Sequence, residues 1–124
     1  MRTAVGVSLA GAAGALARYG LEGLVSRRAT AFPWGTFVVN VTGAFALGFL
    51  FTLLTERFVV APWLRSSITI GFLGAYTTFS TLTLETFRLF EEGSYMAAAF
   101  NVLGSIAVGL LAVFAGVVLG RALS

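Results

Sequence analysis

The chain contains 124 residues, of which 58% are hydrophobic and only 10% are charged. A soluble domain carries about 25% charged residues, so this chain has too little polar surface for a water-exposed globule, and its composition predicts an integral membrane protein. Cysteine and histidine are absent, which excludes disulfides, thiolate metal sites and the commonest general base, and the scattered arginines form no tract typical of nucleic-acid binding.

Charged residues divide the chain into four apolar stretches, and a membrane-crossing helix needs about 20 predominantly apolar residues. We therefore predict an all-α integral membrane protein made of a single four-span domain over residues 1–124. The predicted spans are residues 3–25, 33–55, 62–91 and 94–120. An alternative interpretation treats Arg2 and the apolar run up to Ala15-Leu16-Ala17 as a secretory signal, whose cleavage would leave three spans.

The first two predicted spans carry polar side chains that need a partner in lipid. In the first span, Arg18 and Glu22 are four residues apart and can form an ion pair on one helix face. The second span begins at Pro33, and Thr36 and Asn40 share one of its faces. A lone asparagine in a span often only joins two helices, whereas a stripe of polar residues favours a lined pathway.

The third predicted span is the least regular. Residues 71–83 place two glycines and several hydroxyls at the middle of a membrane crossing, and glycine followed by β-branched threonine forms helix poorly. We predict a break near residues 74–78, where backbone groups are released from helical hydrogen bonds to line a cavity or bind an ion. The hydroxyls and the ring edge of Phe79 suit a small anion, whereas free carbonyls suit a cation. Glu85 is one of the most deeply placed charges and is expected to bridge helices or reach the interface.

The fourth predicted span repeats the polar pattern of the second. Asn101 and Ser105 are four residues apart and share a helix face, as Thr36 and Asn40 do. Two matched polar stripes in one small protein favour a pathway lined by both spans.

The distribution of the arginines indicates no preferred orientation of the chain in the membrane. An even number of spans places both termini on one side of the membrane. The predicted division is Arg2, Arg57, Arg65 and Arg121 on the side of the termini, and Arg18, Arg27, Arg28 and Arg88 on or towards the opposite side. Because positive charge sets orientation, this balance predicts a chain that inserts both ways and forms an antiparallel, dual-topology homodimer. The alternative is a weak bias that cellular factors resolve into one orientation.

The third span also carries a family resemblance. The string GFLGAYTTFST at residues 71–81, followed by Glu85, resembles the signature of the Fluc (CrcB-type) fluoride channels. Two further motifs are similar to those of that family: Gly35 and Thr36 followed by Asn40, Gly43 and Gly48, and Gly14 followed by Arg18 and Tyr19. The resemblance implies a dual-topology homodimer with two antiparallel fluoride pores and a central sodium ion.

The resemblance implies roles for individual residues as well. The pore would be lined by Asn40, Thr36, Phe79, Ser80, Thr81, Leu82, Ser105 and Asn101. Leu82 stands where the family has a second pore phenylalanine, and Asn101 stands where many members carry a tyrosine. The sodium ion would be held by the backbone carbonyls of Gly74 and Thr77 from both subunits, and Arg18 and Glu85 would be vestibule or structural charges.

The expected setting is the plasma (inner) membrane of a prokaryote, in contact with lipid and with a second copy of the chain. A small multidrug-type, proton-coupled transporter is the nearest alternative, but it needs an acidic residue within the first span, and Glu22 lies near the end of that span. A membrane assembly subunit without transport activity is a further alternative. An enzyme is not expected, because no paired carboxylates or nucleophile–base arrangement is visible.

Overall fold

The computed structural model describes residues 1–26 and 32–123, and every regular element in this part of the chain is helical. Helix α1 spans Arg2–Ser26, and helix α2 spans Trp34–Arg57. Helix α3 covers residues 62–76, helix α4 spans Phe79–Glu91 and helix α5 spans Tyr95–Ala122. The predicted all-α fold is confirmed. Among the described residues, α1, α2 and α5 are long and apolar enough to cross a membrane, as in a multi-pass membrane protein.

The helix boundaries follow the proline and glycine positions. Pro33 immediately precedes α2, and Pro62 is the first residue of α3. Proline lacks an N–H group, but an N–H at the start of a helix has no acceptor within that helix, so proline is tolerated there. Gly93 ends α4 with a φ of 81°, a left-handed conformation that favours glycine. The following Ser94 N–H donates to the Leu89 carbonyl at 2.9 Å, which completes a Schellman turn into α5.

Three stretches have the wider π-helical turn. They are Leu53–Arg57 at the end of α2, Ser67–Leu73 within α3 and Phe100–Gly104 within α5. A π-helical turn changes the faces on which the following side chains lie, and it often occurs at functional sites. The sequence did not predict these turns, and two of them lie beside predicted site residues.

Helices α2 and α5 approach each other through glycine. A side chain at Gly48 would meet the Val113 carbonyl at 2.5 Å, and one at Gly116 would meet the Phe49 backbone nitrogen at 2.8 Å. Because lipid provides no hydrophobic drive between helices, such close backbone contact supplies much of the packing. Gly109, on the same helix, has no atom of the described residues within 4 Å.

Helices α1 and α3 form a second close pair. Gly14 is buried against the Phe72 backbone, where an added Cβ would collide with the Phe72 carbonyl. Gly71 lies against α1 in return, and a Cβ there would meet the Val7 carbonyl at 2.8 Å. The described residues therefore contain two close helix pairs, α2 with α5 and α1 with α3. Helix α2 also contacts α1 and α3, and the shorter α4 packs against α5.

Much of the apolar surface points outward. Along α5, the exposed large side chains include Phe100, Leu103, Ile106, Leu110 and Phe114. Such a surface suits contact with lipid or with another membrane protein rather than with water. The polar ends are marked by an ion pair between Arg121 and Glu56, 3.2 Å apart. Two arginines that enter the predicted charge balance, Arg27 and Arg28, lie outside the described residues.

Candidate functional site

Two extended residues separate α3 from α4. Helix α3 ends at Tyr76 and α4 begins at Phe79, and Thr77 and Thr78 lie between them. Their backbone angles are φ −87° and ψ 157° at Thr77, and φ −150° and ψ 116° at Thr78. The Thr77 N–H donates to the Leu73 carbonyl at 3.1 Å and so completes the last turn of α3. The chain therefore leaves helical geometry for two residues only.

Thr78 begins the new helix as its N-cap. Its hydroxyl oxygen accepts a hydrogen bond from the Thr81 N–H at 3.3 Å, and its hydroxyl donates to Thr81 Oγ1 at 3.0 Å. The first N–H groups of a helix have no helical partner, so a threonine side chain at this position replaces one of the missing acceptors.

Asn40 of α2 binds both peptide groups of Thr78. Its Nδ2 donates to the Thr78 carbonyl at 3.0 Å, and its Oδ1 accepts from the Thr78 N–H at 2.8 Å. One turn further along α2, the buried Gly43 lies against the same segment, where an added Cβ would collide with Thr77 Cγ2 and approach Tyr76 Cδ2 to 3.0 Å. Gly43 therefore lets α2 come close enough for Asn40 to reach Thr78.

Arg18 of α1 reaches the end of α3. Its Nε donates to the Ala75 carbonyl at 3.3 Å, and its Nη1 lies 3.7 Å from Glu22 Oε2. The predicted ion pair between Arg18 and Glu22 is confirmed. The bond to Ala75 was not predicted, and it places a positive charge at the carbonyl end of a helix, where the helix dipole favours one.

The side chains of Glu22 and Glu85 both lie close to the buried hydroxyl of Thr36. Thr36 is 3% exposed and donates to Glu22 Oε1 at 3.3 Å. Glu85 from α4 approaches the same hydroxyl and interacts with the charges of Glu22 and Arg88. Within the described residues, Glu85 Oε1 is buried without a hydrogen-bond partner. Thr36 and Glu85, both predicted site residues, are therefore close to each other.

The polar stripe of α5 is buried. Asn101 is fully buried in the π-helical turn of α5, and its Nδ2 donates to Thr86 Oγ1 at 2.9 Å. Ser105 is 8% exposed. Asn101 Oδ1 and Ser105 Oγ have no hydrogen-bond partner among the described residues. Buried oxygens are usually hydrogen-bonded, so these two atoms are available to a further donor.

The side chains in the first turn of α4 differ in how far they are exposed. Phe79 is 74% exposed and Ser80 is also exposed, whereas Thr81 is half-buried. Leu82 is only 5% exposed and packs inside the chain. The sequence predicted that Phe79 and Leu82 reach one pathway from a shared helix face. Within one chain they have different surroundings.

The amino-acid sequence of the chain is similar to that of a known protein family. Residues 5–117 match the family model of the CrcB-like proteins, described as camphor resistance (CrcB). The chain belongs to this family. The match covers all five helices except the first residues of α1 and the last residues of α5.

Several relatives within the CrcB-like family carry the name fluoride-specific ion channel FluC. The chain is 51% identical over 122 residues to the one from Methylococcus capsulatus. This match covers 95% of the present chain but 52% of the relative, so the chain spans about half of that protein's length. It is 44% identical over 124 residues to the one from Geobacter sulfurreducens, covering 99% of this chain and 100% of the relative. The one from Magnetococcus marinus is 47% identical over 116 residues, or 93% of this chain and 94% of the relative. These relatives are channels by name, and the expectation that the chain is not an enzyme is confirmed.

The sequence did not identify the partners of the polar residues in this CrcB-like chain. Thr78 was predicted only as part of the break near residues 74–78, without a partner, and Thr86 was not considered. A threonine directly before a helix is a capping signal, so the cap at Thr78 was open to prediction. The bond between Asn40 and Thr78 joins residues 38 positions apart, and no local pattern indicates it.

Proposed function

We propose that this chain forms a fluoride-selective channel, through which cytoplasmic fluoride leaves a prokaryotic cell across its plasma membrane, down the electrochemical gradient. The observation that carries the proposal is the extended Thr77–Thr78 segment bound by Asn40, in a chain whose relatives are named fluoride-specific ion channels. A break within the third membrane crossing gives a small anion polar contacts at a depth where lipid offers none. Such a channel would protect the cell from fluoride that enters as the neutral acid.

The pathway is proposed to follow the polar residues of α2, α4 and α5. Fluoride is small and strongly hydrated, so each water that it loses has to be replaced by a hydrogen-bond donor. The amide of Asn40 has two N–H donors, and one of them donates to the Thr78 carbonyl. The remaining candidates are Ser80, Thr81, Ser105 and Asn101, with the Phe79 ring edge and the Leu82 side chain beside them. Thr36 is a further candidate, but its one O–H donates to Glu22 and would have to be released from that bond.

The hydroxyl of Ser105 is the strongest support for α5 as part of the pathway. It is buried and has no hydrogen-bond partner among the described residues, so it can donate to an anion. Asn101 also has a second N–H beside the one that donates to Thr86, but its buried Oδ1 has no partner among the described residues and can only accept a hydrogen bond. We therefore propose that Asn101 contacts water that accompanies the ion rather than the ion itself.

Two copies of the chain are proposed to assemble as an antiparallel, dual-topology dimer with two pores. Phe79 is 74% exposed within one chain, so a ring that lines a pathway needs a second copy to cover it. The near-equal distribution of arginines and the outward-facing apolar side chains of α5 agree with a chain that inserts in both orientations. Two-fold symmetry would then give two equivalent pathways.

A sodium ion is proposed to lie at the two-fold axis, held by the carbonyls of Gly74 and Thr77 from both chains. These residues fit the ion, because both carbonyls lie at the end of α3, where the helical hydrogen-bond pattern stops. A hard monovalent cation prefers oxygen ligands, and it would supply positive charge that stabilises the two interrupted segments. Arg18 is proposed to hold the end of α3 through Ala75 and, with Glu85, to set the charge of the vestibule.

The test is fluoride efflux from proteoliposomes that contain the purified full chain. Vesicles loaded with potassium fluoride and treated with a potassium ionophore should release fluoride to an external fluoride electrode, and vesicles loaded with potassium chloride should retain chloride. Asn40→Asp should abolish efflux, because a carboxylate on the pathway repels the anion, while the dimer elutes normally from a sizing column. Release of chloride as fast as fluoride, or wild-type efflux from Asn40→Asp, would contradict the proposed pathway.

A further inference from the structure

The hydrogen bonds around Thr77 and Thr78 decide which carbonyls are free. In an α-helix, each N–H donates to the carbonyl four residues earlier. If α3 continued without interruption, the Thr78 N–H would therefore reach the Gly74 carbonyl. In the structure, that N–H instead donates to Asn40 Oδ1 at 2.8 Å. Asn40, a side chain of another helix, therefore accepts the N–H that would otherwise donate to the Gly74 carbonyl.

The same exchange occurs one turn further along. In a continuous helix the Thr81 N–H would reach the Thr77 carbonyl. It donates instead to the Thr78 hydroxyl oxygen at 3.3 Å. The Gly74 and Thr77 carbonyls, the two proposed to hold the cation, are thus among those that lose their helical donors at the break, as is the Ala75 carbonyl, which accepts from Arg18 instead. The losses at Gly74 and Thr77 both arise from side chains that bind neighbouring N–H groups.

Asn40 also holds the segment in place. Its Nδ2 donates to the Thr78 carbonyl at 3.0 Å, so one amide binds both sides of the same residue. Because the amide belongs to α2, the extended conformation of Thr78 depends on the position of a helix that is remote in sequence. Gly43 permits that position, since α2 lies directly against Thr77 there.

We propose that Asn40 is a positioning residue for the cation site: by accepting the Thr78 N–H, it keeps the Gly74 carbonyl free to bind sodium. This inference rests on the proposed function for the presence of the ion, and it gives Asn40 a second task beside its contact with the anion. Thr78 does the same for Thr77 through its hydroxyl.

The experiment measures the sodium-specific shift in thermal unfolding of the full chain in detergent, namely the midpoint in sodium minus the midpoint in N-methylglucamine at equal ionic strength. A ligand that binds only the folded state raises the midpoint. Wild type should show a positive shift. Asn40→Leu leaves the Thr78 N–H available to Gly74, and most of the shift should be lost. Asn40→Asp keeps an oxygen that can accept the Thr78 N–H, so it should keep the shift while it loses fluoride efflux.

Two further variants separate positioning from a general loss of stability. Thr86→Val removes the hydroxyl that accepts from Asn101, about two helical turns after Thr78 on α4. It does not contact the extended segment, so it should lower both midpoints equally and leave the sodium shift unchanged. Thr78→Val removes the acceptor for Thr81 and should reduce the shift, which provides a second measurement if Asn40→Leu does not fold.

The outcomes distinguish the inference from the proposed channel. A full sodium shift in Asn40→Leu, or its loss in Asn40→Asp to the same extent as in Asn40→Leu, would overturn the assignment of Asn40. A wild-type protein without any sodium-specific shift would overturn the assignment together with the proposed sodium site. A wild-type protein that shows the shift but passes no fluoride would overturn the channel and leave the role of Asn40 standing.

Discussion

Helix α2 makes two contacts that use opposite chemistry. Its C-terminal half meets α5 through Gly48 and Gly116, where backbones approach so closely that no side chain fits between them. Its N-terminal half meets the extended segment at Thr78 through the polar side chain of Asn40. A regular helix satisfies its own backbone and needs only shape to pack, whereas an interrupted helix needs donors and acceptors from elsewhere. A contact in lipid is therefore polar where the backbone is irregular.

The glycine contact should give the largest effect when it is broken. In Gly116→Val, the added side chain would collide with the Phe45 carbonyl and lie 2.8 Å from the Phe49 nitrogen, and backbone atoms cannot turn aside as a side chain can. We expect α5 to separate from α2 and the protein to be lost as aggregate, measured by size-exclusion chromatography of the detergent extract. Gly109→Val is the matched control on the same helix and should elute as wild type, because nothing lies within 4 Å of that position in the described residues.

A substitution at Gly74 tests the region of the extended segment, which is the second of the two contacts compared. Among the described residues, an added Cβ there would meet only the Thr69 carbonyl, at 3.8 Å, so this part of the chain leaves room for a side chain. We nevertheless expect Gly74→Val to abolish fluoride efflux, because the second copy of the proposed dimer would face this position. Thr77→Ser keeps the carbonyl and should lose little efflux. Thr77→Ser removes only the methyl group that lies against Gly43, so equal damage from both variants would point to that packing contact rather than to the carbonyl. Normal efflux in Gly74→Val would contradict a close two-fold axis.

The two side chains at the start of α4 separate transport from stability. Phe79→Ile should lower fluoride efflux strongly with little change in stability, because the ring is 74% exposed in the chain. Leu82→Ala should lower the free energy of unfolding by about 2–5 kcal/mol, the usual cost of removing a buried leucine side chain. Leu82→Phe introduces the phenylalanine that the family resemblance implies at this position, but Leu82 is only 5% exposed, so we expect overpacking that costs about 1–3 kcal/mol. Thermal unfolding and electrode recordings on the same samples check both effects, and a stability loss in Phe79→Ile as large as in Leu82→Ala would contradict them.

The exposed ion pair at the ends of α2 and α5 should matter least. Glu56 and Arg121 lie 3.2 Å apart, but both are exposed, and water and salt screen such pairs. We expect Glu56→Gln to change neither efflux nor the unfolding midpoint measurably. A clear loss of stability would mean that this pair, and not only the glycine contact, holds α5 against α2.

Much of the architecture could be predicted from sequence alone. Apolar length predicted α1, α2 and α5, the three described helices that are long and apolar enough to cross a membrane, because a helix of about 20 apolar residues satisfies its own backbone in lipid. Pro33, Pro62 and Gly93 predicted helix boundaries, because their backbone preferences act locally. The pair Arg18–Glu22 was also predicted, since residues four apart on a helix are neighbours.

Only the tertiary structure decided which polar group meets which. Asn40 lies opposite Thr78 because Gly43 allows α2 to approach α3 closely and because the rotation of both helices aligns the two residues. The burial of Leu82 beside the exposed Phe79 likewise depends on which neighbours cover α4. Composition and spacing carry information about a helix and its own faces, but contacts between residues distant in sequence depend on how all the helices pack together.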